Sequence, residues 1–158
     1  MRRHGLTGRG AGTTAALVLA GGLLAGVAAC GNTYSSYCNA VTAQQQELGQ
    51  ALSAGPSQGF IEALPILQGL QGKAPSDIRG DWNQVVGAVQ GLRGALQAAG
   101  VDPATYNTSH PPTGVTAAQR ARIAAAATAL GSQATISSWN AVQQQVRDVC
   151  HTQLYVGA

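Results

Sequence analysis

Apolar residues recur at spacings of three and four along most of the chain after residue 37. This is the period of one face of an α-helix. Turn and capping residues divide the pattern into five segments, with approximate bounds 37–52, 57–72, 76–99, 116–130 and 132–154. No stretch shows the sustained alternation of apolar and polar residues that predicts a strand. The pattern therefore predicts an all-α fold, a small antiparallel bundle of four to five helices.

Local signals set the ends of the predicted helices. Gly55-Pro56 ends the first helix, Ser76 is placed to cap the third, and Thr116 to Gln119 reads as a capping box for the fourth. Pro65 lies inside the second segment, where it removes a backbone hydrogen bond, so we expect a kink or a delayed start there. Prolines in the segment 101–116 predict a long connection rather than a helix.

A continuous apolar run precedes the helical segments and ends near Cys30. A positively charged start leads into this run over residues 15–27, and two alanines then precede the cysteine. This order is that of a bacterial secretory signal. The run has about 15 residues, fewer than the roughly 20 that a spanning helix needs. The pair Arg2-Arg3 suggests export by the twin-arginine route. The residues that follow the pair fit a twin-arginine signal poorly, so the sequence favours the general secretory route.

The end of the apolar run, Val27-Ala28-Ala29-Cys30, resembles the lipobox of bacterial lipoproteins, with valine where leucine is usual. In that family the cysteine sulfur takes a diacylglycerol and the chain is cut just before it. The resemblance implies a signal peptide over 1–29, a lipidated tether over 30–36 and a helical domain over 37–158. Two acyl chains hold a protein on a membrane without a spanning helix. A plain secreted protein and an uncleaved membrane helix are the alternatives.

Removal of the signal changes the charge of the protein. The chain of 158 residues has nine Lys+Arg and six Asp+Glu, and three of the arginines lie within residues 1–29. The remaining 129 residues carry six charges of each sign, so the mature domain is formally neutral. It has no excess of basic residues to neutralise phosphates, which argues against nucleic acid as a partner. Its length suits one domain.

The number and positions of the cysteines predict a disulfide. Three are present, and if Cys30 carries lipid, Cys38 and Cys150 remain as a pair. An exported context permits oxidation, and the two lie near opposite ends of the helical domain, which meet in an antiparallel arrangement. We expect a Cys38–Cys150 disulfide, with free or metal-binding thiols as the alternative. His151 follows Cys150, but no second pair of ligands completes a zinc site, so we predict no metal.

Catalytic motifs are missing from the mature sequence. It has no Gly-x-Ser-x-Gly elbow, no His-Glu-x-x-His pair and no phosphate-binding glycine loop. His110 lies in the proline-rich connection, and acidic residues such as Asp148 lie beside arginine or at helix starts. We therefore predict no catalytic residue and no cofactor, and a non-enzymatic binding or interaction module. An envelope enzyme with an unrecognised site is the less favoured alternative.

Two tryptophans are the aromatic residues of most interest. Trp82 and Trp139 lie on the apolar stripes of predicted helices, which favours packing in the core. If either lines a groove between helices, it becomes a candidate ligand contact. In that case the domain would carry a small apolar ligand between its helices. This carrier function is the alternative to a module that binds another envelope protein.

Several short strings carry a resemblance over most of the mature chain. They are Tyr37-Cys38 and the segments 74–82, 100–106 and 146–150. Together they resemble a group of uncharacterised actinobacterial lipoproteins of helical type. The resemblance implies export, attachment to the extracytoplasmic face of the cell membrane through Cys30, a helical domain and the cysteine pair. It implies no activity.

Overall fold

The computed structural model describes residues 25–104, 106 and 113–157. Over these residues the chain forms five helices, α1 (Ala25–Leu52), α2 (Gln58–Gln71), α3 (Arg79–Ala98), α4 (Ala117–Leu130) and α5 (Gln133–Cys150). The described residues contain no strand, so the predicted all-α bundle is confirmed. The predicted signal up to residue 24, and residues 105 and 107–112 of the connection, including His110, lie outside the described residues.

Consecutive helices pack against each other from α1 to α4, and α5 packs on α3 and α1. The end of α3 lies beside the start of α4, where the Gln119 side chain donates a hydrogen bond to the Ala98 carbonyl at 3.5 Å. Cys38 in α1 is bonded to Cys150 at the end of α5, and Leu52 at the end of α1 lines one hollow with Trp139 in the first half of α5, so these two helices also run in opposite directions. The short turn between α1 and α2 gives the same antiparallel arrangement.

The apolar faces of the helices meet in one core. Its largest members are Trp82 of α3 and Tyr37 of α1, both without exposed surface. Around them lie buried aliphatic side chains from all five helices and from the chain after α5, among them Val41, Leu48, Leu64, Leu67, Val85, Val89, Leu96, Ile123, Val142, Val146 and Leu154. The prediction that Trp82 packs in the core is confirmed.

Capping residues define the starts of α4 and α5. The Gln119 backbone N–H donates to Thr116 Oγ1 at 3.2 Å, and the Thr116 N–H donates to Gln119 Oε1 at 2.8 Å, which confirms the capping box. Ser132 Oγ accepts from the Thr135 N–H at 3.3 Å and caps α5. Such caps give backbone donors the partners that a helix start lacks.

The start of α2 agrees with the prediction, and the start of α3 differs from it. Pro65 lies inside α2 without delaying its start, since the helix begins at Gln58. Ser76 is not a cap, because α3 begins at Arg79 after Ile78. The residues before α3 form a turn in which the Ile78 N–H donates to the Pro75 carbonyl at 3.3 Å. Burial of the Ile78 side chain favours this turn over an earlier helix start.

The start of α1 also differs. We expected a helix from residue 37 and a tether over 30–36, but α1 is continuous from Ala25. No proline interrupts this segment, and each residue added to an existing helix gains one backbone hydrogen bond, so Gly31 and Asn32 do not stop it. Cys30 therefore lies about two helical turns before Tyr37 on the same helix.

Helix α5 ends earlier than we expected. We expected its apolar stripe to run from Ile136 through Val149 to Leu154, but the helix ends at Cys150, and His151 takes the left-handed conformation with φ 54°. Leu154 is buried in the chain that follows. Ile136 and Val149 are 45% and 38% exposed, so α5 buries a narrower face around Val142 and Val146.

Candidate functional site

A hollow of about 380 Å³ lies where α2, α3 and α4 meet Pro103 and Tyr106. Leu92, Leu96 and Ile123 form its floor and are at most 2% exposed, so the floor is the outer surface of the core. We call it the apolar hollow. Its lining consists of Ala54, Gly55, Pro56, Ser57, Gln58, Ile61, Leu92, Leu96, Pro103, Tyr106, Ile123 and Ala127.

The polar groups of the apolar hollow are uncharged. None of the lining side chains that the structure describes carries a formal charge. Ser57 precedes α2, and its hydroxyl makes no capping hydrogen bond. The Gln58 amide donates to Glu62 Oε1 at 2.9 Å on the outside of α2. The surface offered to a ligand is more apolar than polar, and the hydroxyls of Ser57 and Tyr106 are among its polar groups.

The turn between α1 and α2 positions one wall of the hollow. Gly55 has φ +109°, a backbone conformation that glycine adopts without strain, and Pro56 follows it. Gly59 lies against the end of α1, where a Cβ atom would be 2.7 Å from the Leu52 carbonyl oxygen. Only glycine permits this close approach of α2 to the end of α1, and Ile61, two residues further along, lines the hollow together with Leu92 and Leu96.

Trp82 and Trp139 have different positions. Trp82 lines none of the hollows found in the described part of the chain. Trp139 is half-buried between two rings, edge-on to Phe60 at a centroid distance of 5.2 Å and stacked on Tyr155 at 6.1 Å. With them it lines a second hollow of about 240 Å³ on the other side of the Gly55-Pro56 turn. The sequence pattern gave no sign that these three rings meet.

The chain after α5 turns back along α1 and brings Tyr155 to Trp139. The Gln45 side-chain amide donates to Thr152 Oγ1 at 2.7 Å and also to the Gln153 carbonyl. The Val156 N–H donates to the Gln45 carbonyl at 3.3 Å. We call residues 151–157 the C-terminal tail. It is fixed to α1 by backbone and side-chain hydrogen bonds.

The predicted disulfide is confirmed. Cys38 and Cys150 are bonded through sulfur, with their Cα atoms 5.2 Å apart. Of the three cysteines in the chain, only Cys30 lies outside this bond. Within the described residues, no three His, Cys, Asp or Glu side chains cluster as metal ligands would. His151, the residue considered as a weak metal ligand, is exposed beside the bridge.

One ionisable group has a strongly shifted pKa. The pKa of Tyr37 is raised to about 12, mainly by burial; the hydrogen bond from Trp82 lowers it in part, and the negative charge of Asp77 contributes a smaller increase. The Tyr37 hydroxyl lies in the core and not in the apolar hollow, so this shift belongs to packing. A perturbed pKa marks a functional site only when the group also lies in a cleft.

The comparisons add no assignment. No family model, no curated protein and no solved structure matches the chain. The resemblance to actinobacterial lipoproteins therefore stays a prediction. Among the helices that the structure describes, none combines the length and the apolar character needed to cross a membrane.

Proposed function

We propose that the protein is an exported lipoprotein whose helical domain is a non-enzymatic binding module on the extracytoplasmic face of the cell membrane. The pairing of the cysteines supports the anchor. The Cys38–Cys150 bond uses two of the three cysteines and leaves Cys30, which ends the apolar run and its lipobox-like residues. An intramolecular disulfide suits an oxidising compartment outside the cytoplasm.

The apolar hollow is the observation that supports binding. Small-molecule sites are typically concave, mostly apolar, and of about 300–1,000 Å³, with a few polar groups that orient the ligand. The apolar hollow has this size and this lining. It favours the carrier of a small apolar ligand, held between helices, over a module whose partner is another envelope protein. The envelope enzyme gains no support from it, because the lining residues that the structure describes include no carboxylate, imidazole, amine or thiol.

The anchor is tested on the full chain expressed in a bacterium that processes lipoproteins. We expect the protein in the membrane fraction, with Cys30 as its first residue and a diacylglyceryl mass on that residue. Cys30→Ala should lose this acyl mass. The matched control, Cys38→Ala with Cys150→Ala, removes two cysteines but should keep it. An unmodified Cys30 in the mature protein would contradict the proposal.

A further inference from the structure

We propose that the apolar hollow binds one small, uncharged molecule with an apolar body and a single hydrogen-bonding group. This inference rests on the proposed binding function and names its ligand class. It does not depend on the lipid at Cys30, because the lining residues belong to α2, α3, α4 and the segments beside them.

The size of the hollow decides between a small molecule and a polypeptide. A volume of 380 Å³ corresponds to a sphere about 9 Å across, whereas a helix with its side chains is about 10–12 Å wide. Ile61 and Ala127 lie on helices α2 and α4, which flank the hollow, and Leu92 and Leu96 close it below. A whole helix is therefore too wide to enter the hollow and could reach its floor only with single side chains, whereas a small molecule of this size fits inside it.

The charge of the lining decides the polarity of the ligand. A charged group placed against Leu92, Leu96 and Ile123 loses its hydration and meets no opposite charge. An adjoining hollow of about 300 Å³ shares Gln58, Ile61 and Pro103 with the apolar hollow. Its charged lining residues, Glu62, Arg93 and Asp102, are of both signs and do not line the apolar hollow itself. An uncharged body is therefore the one that gains free energy from burial on this floor.

Ser57 and Tyr106 carry the side-chain hydroxyls of the lining, and Ser57 lies where α2 begins. The Ser57 hydroxyl makes no hydrogen bond to any other residue that the structure describes, whereas the neighbouring Gln58 amide is engaged with Glu62. A ligand whose body covers the floor would place one polar group at the Ser57 side. A primary alcohol on an aliphatic chain has this chemistry.

The length of α1 separates the hollow from Cys30. From Cys30 to Leu52, α1 is about 33 Å long, and the hollow begins just after its end, at Ala54. With acyl chains on Cys30, the anchor and the hollow lie at opposite ends of α1. The bound molecule is then held away from the residue that enters the membrane.

The test uses the full chain in its own membranes and a photoreactive probe, a short aliphatic alcohol that carries a diazirine and an alkyne. After irradiation, labelled peptides are mapped by mass spectrometry. We expect labelling of the peptides that contain Ile61, Tyr106 or Ile123. Ala127→Trp fills the hollow and should abolish this labelling. Ala124→Trp makes the same change on the exposed face of α4 and should leave it intact.

Three results would overturn the inference: equal labelling of Ala127→Trp and Ala124→Trp, label confined to peptides near Cys30, or equal labelling by the carboxylic acid analogue of the probe. Retention of the Cys38–Cys150 bond checks that each variant folds. If Trp at 127 prevents folding, Ala127→Glu and Ala124→Glu form the second pair, with the same expected loss only at 127. If the hollow is labelled in a chain whose Cys30 carries no acyl group, only the proposed lipid anchor is contradicted. If Cys30 is acylated and the hollow is not labelled, only the proposed ligand site is contradicted.

Discussion

Trp82 Nε1 donates a hydrogen bond to Tyr37 Oη at 3.0 Å, and neither side chain has any exposed surface. The bond joins α1 to α3, the helix that packs on α2, α4 and α5. The next residue, Cys38, joins α1 to the end of α5 through the disulfide. Two consecutive residues of α1 thus connect the helix that carries Cys30 to the rest of the domain.

Tyr37→Phe should destabilise the domain. The variant keeps the ring but removes the acceptor, which leaves the Trp82 indole N–H buried without a partner. Such a group costs about 1–3 kcal/mol of the free energy of unfolding, measured by urea titration. Tyr155→Phe removes a hydroxyl from a half-buried ring and should change stability by less than about 0.5 kcal/mol. Equal effects of the two variants would show that the Trp82 bond contributes nothing.

The raised pKa of Tyr37 predicts a loss of stability at alkaline pH. The folded state holds the phenol proton up to about pH 12, whereas the unfolded chain releases it near the ordinary value of 10.0. Deprotonation therefore favours unfolding, so this contribution is complete below about pH 10 and is lost progressively towards pH 12. Urea titrations across this range should show the decline in the native protein. In Tyr37→Phe the free energy of unfolding should fall less over the same pH range. An equal fall in the two proteins would contradict the raised pKa of Tyr37.

The Cys38–Cys150 bond should supply a large share of the stability. It closes a loop with a sequence separation of 112 residues, for which the chain-entropy account gives up to about 4.7 kcal/mol. Replacement of both cysteines by alanine should lower the free energy of unfolding by several kcal/mol, seen as a lower melting temperature. Cys30→Ala is the matched control and should leave the melting temperature of the helical domain unchanged.

Much of the fold could be predicted from local sequence. Caps at Thr116 and Ser132 and the apolar spacing specify α4 and α5 without tertiary information. The extension of α1 through residues 30–36 was missed, because glycine, asparagine and serine lower helix propensity without stopping an existing helix. Ile136 and Val149 were misassigned to the core, because their spacing alone does not show how wide a face α5 buries.

The candidate site was harder to predict. Trp139 was named as a possible groove residue, but its contacts with Phe60 and Tyr155 depend on where the C-terminal tail lies. The apolar hollow forms from segments far apart in the chain, since Ile61, Leu92 and Ala127 meet only after three helices have packed. No local pattern encodes such a meeting. The disulfide was predictable because the cysteine count and the antiparallel ends constrain it directly.

The close contact between Gly49 and Val156 gives the last prediction. A Cβ atom on Gly49 would lie 1.9 Å from the Val156 carbonyl oxygen, so Gly49→Ala should displace the C-terminal tail from α1. The Val156 N–H would then lose the Gln45 carbonyl, and Tyr155 would move away from Trp139. Hydrogen exchange at Val156 should accelerate, and Trp139 fluorescence should change.

Gly87→Ala is the matched control for this change. Gly87 lies on the exposed face of α3 with nothing within 4 Å of its added Cβ atom. Because glycine inside a helix is less favourable than alanine, Gly87→Ala should raise the free energy of unfolding by about 0.5–1 kcal/mol. It should leave exchange at Val156 unchanged. If Gly49→Ala also stabilised the domain and kept Val156 protected, α1 and the tail would not be in contact in solution, and the ring stack on Trp139 would lose its structural basis.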